Sequence, residues 1–341
     1  MIMINEPLKF DTIKLVTSSE YLISVNKHLF KNDVDLSTGE VKSVMFNSKS
    51  TGNIVPFELY IHANYQSGKM TIEFSSKLLL DGYPQLISGD NLSECLRNVD
   101  RMEVCTLNVD GVIGDCCITK LHITKDVDLE LTSEILNRLN LCTGDYRRYK
   151  WNKYDDGIIF YKNVKSADCK ESMTIYNKEK EILLSKNRAF LNAVSNAEDI
   201  KKYFCGKTRF ELQLNNKRKI MKVLGISDTS VKTVMNISEN ILLAQFDKIF
   251  TEETGISKPS SNISLAINSN AEYGMLNTIR YYDGDLKKIE QEIKDLGIYA
   301  NGSRAAMGRQ MKRFKEMAHA WSNREMNVDT TIEQIRNLLK T

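Results

Sequence analysis

The chain has 341 residues, 42% of them hydrophobic and 27% charged, and a net charge of +3. That length holds one large domain or two modest ones, and so small a net charge sets up no strong global field for nucleic acid, which leaves any such contact to local patches. Four prolines and seventeen glycines argue against long disordered linkers, no apolar run approaches the roughly 20 residues of a membrane span, and Met1–Phe10 lacks the basic-then-apolar layout of a signal peptide.

Seven cysteines are scattered as Cys95, Cys105, Cys116, Cys117, Cys142, Cys169 and Cys205. The number is odd and no pair has the spacing of a zinc site, so they read as reduced thiols of a cytoplasmic protein.

Residues 1–50 carry little pattern. Lys9–Ser18 and Glu20–Leu29 have some strand character, and Asn32–Glu40 reads as a turn-rich link. Phe57–His62 alternates strictly, Gln66-Ser67-Gly68 makes a turn, and Lys69–Ser75 alternates again, which predicts a hairpin. Asn91, with Glu94 three residues on, opens a short helix bearing Leu92, Cys95, Leu96 and Val99. Ile118–Asp126 is the third clear strand, and Ser133–Leu141 a helix. Gly157–Tyr161 and Met173–Tyr176 read as another strand pair. Helical pattern covers about Glu179–Val194, and a second helix runs from an Asn196 cap to a Gly206 stop. Lys207–Leu214 is a strand, and Lys217–Leu224 a short basic helix ending at Gly225. Val231–Glu252 reads as one long helix. After a Ser/Pro-rich loop at Ser257–Ser261, helical patterns resume at Glu272–Tyr282, Gly284–Leu296, Ser303–Trp321 and Thr331–Leu339. The expected organisation is therefore 1–50, N-terminal strands and link; 51–227, a mixed α+β domain; and 228–341, a helical region.

The strands between the hairpin and Gly225 each keep one apolar face and one polar face. The polar faces read Glu58, Tyr60, His62; Lys69, Thr71, Glu73; Lys120, His122, Thr124; Thr174, Tyr176, Lys178; and Lys207, Arg209, Glu211, Gln213. The simplest assembly is an α+β fold, a mainly antiparallel sheet with helices on its apolar face and an open polar face. A solvated surface accounts for such alternation as well. Against that, an exposed face rarely concentrates His, Tyr, Arg and Glu, and His122 beside a carboxylate would suit a divalent cation.

Three segments, in order, resemble the rolling-circle replication initiators of filamentous phages, the gene II replication endonucleases, and more distantly the initiators of some small plasmids. Ile118-Thr119-Lys120-Leu121-His122 resembles the family strand Ile-Ser-Arg-Ile-Asp. Tyr176-Asn177-Lys178-Glu179-Lys180-Glu181 resembles its Tyr-Leu-Lys-x-x-Glu. Ser195-Asn196, Gly206 and Thr208-Arg209-Phe210-Glu211 resemble its Ser-Asn, Gly and Val-Arg-Phe-Glu run. The similarity spans roughly residues 55–225. It implies an HUH-like, ferredoxin-like nuclease core and a metal-dependent, site-specific single-strand DNA endonuclease that nicks and rejoins an origin through a 5′-phosphotyrosine. Tyr176 would be the nucleophile, with Lys178 and Arg209 assisting. His122, which stands where the family has aspartate, would hold Mg2+ or Mn2+ with Glu211 and with Glu181 or Glu73. A cation or Lys178 would favour the phenolate, since a free tyrosine is mostly protonated at neutral pH. Tyr161 is the nearest candidate for a second tyrosine.

Lys120 on the sheet, Lys217 and Arg218 near the expected active face, and Arg309, Lys312 and Arg313 on the Ser303–Trp321 helix are the candidate phosphate contacts. The absence of a Gly-rich phosphate loop argues against an ATP-driven helicase. The implied partners are then origin DNA with a host helicase and polymerase in a bacterial cytoplasm. Two other readings stay open: an origin-binding initiator without nuclease activity, and an interaction protein whose polar sheet face is plain solvent surface.

Overall fold

The computed structural model describes residues 7–50, 55–142, 149–162, 171–250, 267, 269–299, 304–326 and 328–340. The Ser/Pro-rich loop and Cys169 lie outside these residues, as does the side chain of Cys142. The strands, in chain order, are β1 (Phe10–Ser18), β2 (Leu22–Val25), β3 (Lys31–Val34), β4 (Val41–Asn47), β5 (Leu59–Asn64), β6 (Lys69–Ser75), β7 (Cys105–Leu107), β8 (Cys117–Asp128), β9 (Tyr149–Tyr154), β10 (Gly157–Lys162), β11 (Glu171–Asn177) and β12 (Lys207–Leu214).

The chain forms two compact units. One comprises Met1–Glu130 and Val164–Leu242; the other comprises Leu131–Asn163 and Leu243–Thr341. The division therefore does not fall near residues 50 and 228. The N-terminal segment is no separate piece, because β1 pairs with both β6 and β8 and sits inside the main sheet. Within the first unit eight strands lie in the antiparallel order β3-β4-β5-β6-β1-β8-β12-β11, with β2 and β7 paired apart.

Alternation decides which side chains the sheet buries. Leu59, Ile61 and Ala63 of β5, Met70, Ile72 and Phe74 of β6, Ile13 and Leu15 of β1, Leu121 and Ile123 of β8, Phe210, Leu212 and Leu214 of β12, and Met173 and Ile175 of β11 form one continuous buried face. Each of these side chains larger than Ala63, fully withdrawn from water, contributes about 1.5–3 kcal/mol. Helix Leu92–Arg101 buries the expected Leu92, Cys95, Leu96 and Val99. Its Asn91 does not cap it with its side chain, which instead bridges the Ser88 amide and the Leu86 carbonyl.

Registry aligns the other face. Opposed residues of an antiparallel pair share a side of the sheet. His62 lies opposite Thr71, Lys14 lies between Glu73 and Lys120, Thr12 is opposite His122, Gln213 opposite His122, Glu211 between Thr124 and Thr174, and Arg209 between Asp126 and Tyr176. One irregularity matters. On β1 the partners step from Phe10↔Ile123 to Thr12↔His122, leaving Asp11 as the extra residue of a β-bulge, a device that re-aims a side chain.

Two expected helices are broken. Glu179–Val194 is a short helix, Lys178–Ile182, followed by Arg188–Ala193. Between them the Asn187 amide donates to the Glu181 carbonyl at 2.6 Å, a side-chain bond in place of a helical one. Within the described part of Val231–Glu252 the helices are Val231–Met235 and Ile241–Phe250, parted at Asn236, Ser238 and Asn240, residue types of low helix preference. β12 and helix Lys217–Leu224 carry the bounds their sequence predicts, and Gly225 ends the helix at φ +66°.

The second unit is a β9–β10 hairpin with helices Ser133–Cys142, Asn270–Tyr281, Leu286–Asp295, Arg304–Met326 and Val328–Lys340, together with helix Ile241–Phe250 from Leu243 onward. Its core includes Met275, Leu276, Ile279, Leu286, Ile289, Ile293, Phe314, Ala318 and Trp321, with Met307 and Met311 packed against it. Met307, Met311, Phe314, Ala318 and Trp321 thus form the inward stripe of the Arg304–Met326 helix. Among the described residues no helix is long and apolar enough to cross a membrane.

Candidate active site

Tyr176 is the penultimate residue of β11, half-buried on the polar face. Its hydroxyl donates to Glu211 Oε2 at 3.1 Å. The other Glu211 oxygen, Oε1, lies 3.0 Å from His122 Nδ1 and accepts a hydrogen bond from Gln213 Nε2 at 2.8 Å. A phenol, a carboxylate and an imidazole from three strands thus meet, as the polar faces predict. The face is not open there. His122 is 9% exposed and Glu211 7%, while Arg209 and Lys178 are buried. A plain solvated surface would not withdraw these groups from water.

The reason for that burial is a clasp around Arg209. Its guanidinium donates through Nε and Nη2 to both oxygens of Asp126, at 2.6 and 2.8 Å, and through Nη1 to Asp11 Oδ1 at 2.6 Å. Asp11 also accepts from the Ser76 hydroxyl at 3.1 Å. The rings of Tyr83 and Phe204 close over the guanidinium, with centroids 5.9 and 5.4 Å away. Arg209 therefore has its strong donors committed to carboxylates. It holds the site together rather than presenting a fork to a phosphate.

Lys178 follows β11 at the start of its short helix and is also buried. It pairs with Glu181 and lies 5.9 Å from the Tyr176 ring centre. Glu181 binds Lys186 as well, at 2.7 Å. Glu181 therefore stands in an ion-pair network with two lysines. Glu73 is engaged likewise, by Lys120 at 2.6 Å and Lys14 at 3.1 Å.

Electrostatics run against a ready-made phenolate. Burial, and then the Glu211 charge, push the Tyr176 hydroxyl well above its ordinary value, against the pull of Arg209. Burial also opposes the charged form of Glu211, but the hydrogen bonds from His122 and Gln213 hold its carboxyl below the ordinary range. The same holds for Asp11, where burial is outweighed by Arg209, Lys178 and His122. The expected help from Lys178 is offset by its bond to Glu181. The phenol rests protonated, hydrogen-bonded to a charged acceptor.

Of the expected metal ligands, one atom is left without a protein partner. Among the described residues no three His, Cys, Asp or Glu side chains gather closely enough to hold an ion. Glu211, Glu181 and Glu73 are occupied by protein donors. His122 Nε2 is different: it is buried and has no hydrogen-bond partner. Glu211 on the Nδ1 side orients that imidazole, the usual role of a carboxylate behind a metal-binding histidine.

The remaining candidates scatter. Lys120 is tied to Glu73 on the sheet. Lys217 and Arg218 are exposed, and their helix is held by Lys219 pairing with Glu171 at 2.8 Å. Glu171 alternates in step with the buried Met173 and Ile175, so that helix lies on the side of the sheet away from Tyr176, not near it as expected. Arg309, Lys312 and Arg313 are exposed on the second unit's long helix, and Tyr161 lies on β10 of that unit.

Asp11, Asp126 and Tyr83 complete the site and lie outside the three motifs. Asp126 is in phase with His122 and Thr124, so its face was visible. Asp11 leaves a subtler trace: the apolar residues of its strand, Phe10, Ile13 and Leu15, are spaced three and then two apart, the signature of one inserted residue. The chain matches no family model and no curated protein.

Proposed function

We propose that the chain is a rolling-circle replication initiator that nicks and rejoins single-stranded origin DNA through a 5′-phosphotyrosine on Tyr176. The observation that supports this reading is the convergence of Tyr176, Glu211 and His122, which come from the three segments resembling the phage and plasmid initiators. In the reaction, Tyr176 Oη bonds to the scissile phosphorus and the bond to the 3′-oxygen breaks. The phenolic proton passes to Glu211 Oε2, which already accepts its hydrogen bond. The 3′-oxygen leaves as a hydroxyl, protonated from solvent, and can prime synthesis. Rejoining runs the same path backwards.

His122 Nε2 would be one ligand to a divalent cation, Mg2+ or Mn2+, with Glu211 orienting the ring and phosphate oxygens and water supplying the other ligands. Bound there, the cation would polarise a phosphate oxygen. Glu211 thus orients and accepts a proton rather than coordinating, and Arg209 anchors the carboxylates. The exposed Arg309, Lys312 and Arg313 are the proposed duplex phosphate contacts. Unwinding and synthesis fall to a host helicase and polymerase.

The test is nicking of a supercoiled plasmid carrying the cognate origin, with manganese. Wild type converts it to the open circle, and Tyr176→Phe loses the conversion by at least about a thousandfold, as expected for removal of a covalent nucleophile. Equal nicking by the two proteins rules out Tyr176, and a wild type that binds the origin without nicking favours a non-catalytic initiator.

A further inference from the structure

The cations around Tyr176 are mostly spoken for. Arg209 is clasped by Asp11 and Asp126, and Lys178 is bound by Glu181. Lys186 also leans on Glu181, from a side chain 62% exposed. A reaction at a phosphodiester needs a positive group whose charge is not already cancelled.

Lys77 meets that need. It follows Ser76, whose hydroxyl binds Asp11, and it is half-buried. Its Nζ donates to Asn187 Oδ1 at 2.7 Å, a neutral amide, and lies 5.6 Å from the Phe190 ring centre. Asn187 is itself fully buried and fixed, its Nδ2 donating to the Glu181 carbonyl at 2.6 Å. Glu181 in turn holds Lys178 beside Tyr176. An ammonium has three protons, and the Asn187 bond uses one. Burial lowers the Lys77 pKa, with Lys178 and Lys186 adding to the effect against Glu181 and Asp11, though neither carboxylate is paired with it.

We propose that Lys77, aimed by Asn187, is the phosphate contact for single-stranded DNA lying beside Tyr176. This assignment rests on the DNA-cleaving reading above and adds a residue outside the three motifs that suggested it.

The experiment measures binding of the full-length chain to a fluorescent 20-nucleotide oligothymidylate across a salt series. Lys77→Met keeps the apolar shaft over Phe190 and removes the charge. We expect its affinity at low salt to fall several-fold, and the slope of log K against log salt to become shallower by about 0.7, the share of one single-strand phosphate contact. Lys77→Arg retains the wild-type slope. Lys42→Gln, which removes a lysine paired with Asp35 on β4, also retains it. Circular dichroism and melting accompany each variant, and Lys77→Gln replaces Lys77→Met if the latter does not fold. A wild-type slope in a folded Lys77→Met or Lys77→Gln overturns this assignment alone. A wild type that binds no single-stranded DNA overturns the DNA-cleaving reading and this assignment with it.

Discussion

Asp11 shows how one residue takes its meaning from distant ones. Burial alone would push its carboxyl up, towards the neutral acid, yet Arg209, Lys178, His122 and Ser76 more than reverse that. Glu211 has the same balance with His122 and Gln213. Both folded-state pKa values lie below the ordinary 3.8 and 4.5. The contribution of each group to stability is therefore complete above the ordinary carboxylate range and is lost as pH falls through the depressed folded values. Urea unfolding followed by circular dichroism should show stability falling steeply from about pH 5 to pH 2. Asp11→Asn, less stable at neutral pH, should show a visibly smaller fall. An equal fall in both proteins would show that Asp11 carries no such linkage.

At the scale of elements, Arg209 is the tie between the β1 bulge, β8 and β12. Replacing one member of a buried ion cluster leaves its partners buried without counter-charge, at a cost of about 3–5 kcal/mol. Arg209→Met should therefore destabilise the first unit by that amount and raise amide hydrogen exchange in β1, β8 and β12 more than in the β4–β5 pair. Exchange that rises evenly over the sheet, or not at all, would mean the clasp is not what holds those strands. Strands and helices with clean periodicity were legible in advance: β6, β12 and helix Lys217–Leu224 have the bounds their patterns predict. Elements shaped by side-chain competition or by residue types of low helix preference were not. Asn187 and the Asn236–Asn240 run end helices that apolar spacing alone would continue. β1 was only faintly visible because its bulge spoils the alternation on which a strand is recognised.

For the whole molecule, the candidate centre is built from segments far apart in sequence, with the Arg209–Asp11 bond spanning 198 positions. Which faces are polar can be read locally, and so Tyr176, His122 and Glu211 could be placed on one side of the sheet, their roles coming from the resemblance to the initiators. How charges cancel cannot, because pairings such as Glu73 with Lys14 and Lys120, or Glu181 with Lys178 and Lys186, are settled by registry and packing. That is why carboxylates expected at a metal proved to be bound by lysines, and why the basic Lys217–Leu224 helix proved to lie across the sheet from Tyr176. Both tryptophans, Trp151 and Trp321, belong to the second unit, so their fluorescence follows that unit while the mutations above act on the first.

The central claim is that the Tyr176 phenol becomes covalently joined to DNA. Its most direct measurement incubates the full-length chain with manganese and a pool of randomised single-stranded oligonucleotides, digests the protein, and maps the nucleotide-bearing peptide by mass spectrometry. A 5′-phosphate ester is expected on the peptide containing Tyr176, absent from Tyr176→Phe. An adduct on another residue such as Tyr161, or an unchanged yield in Tyr176→Phe, would contradict it.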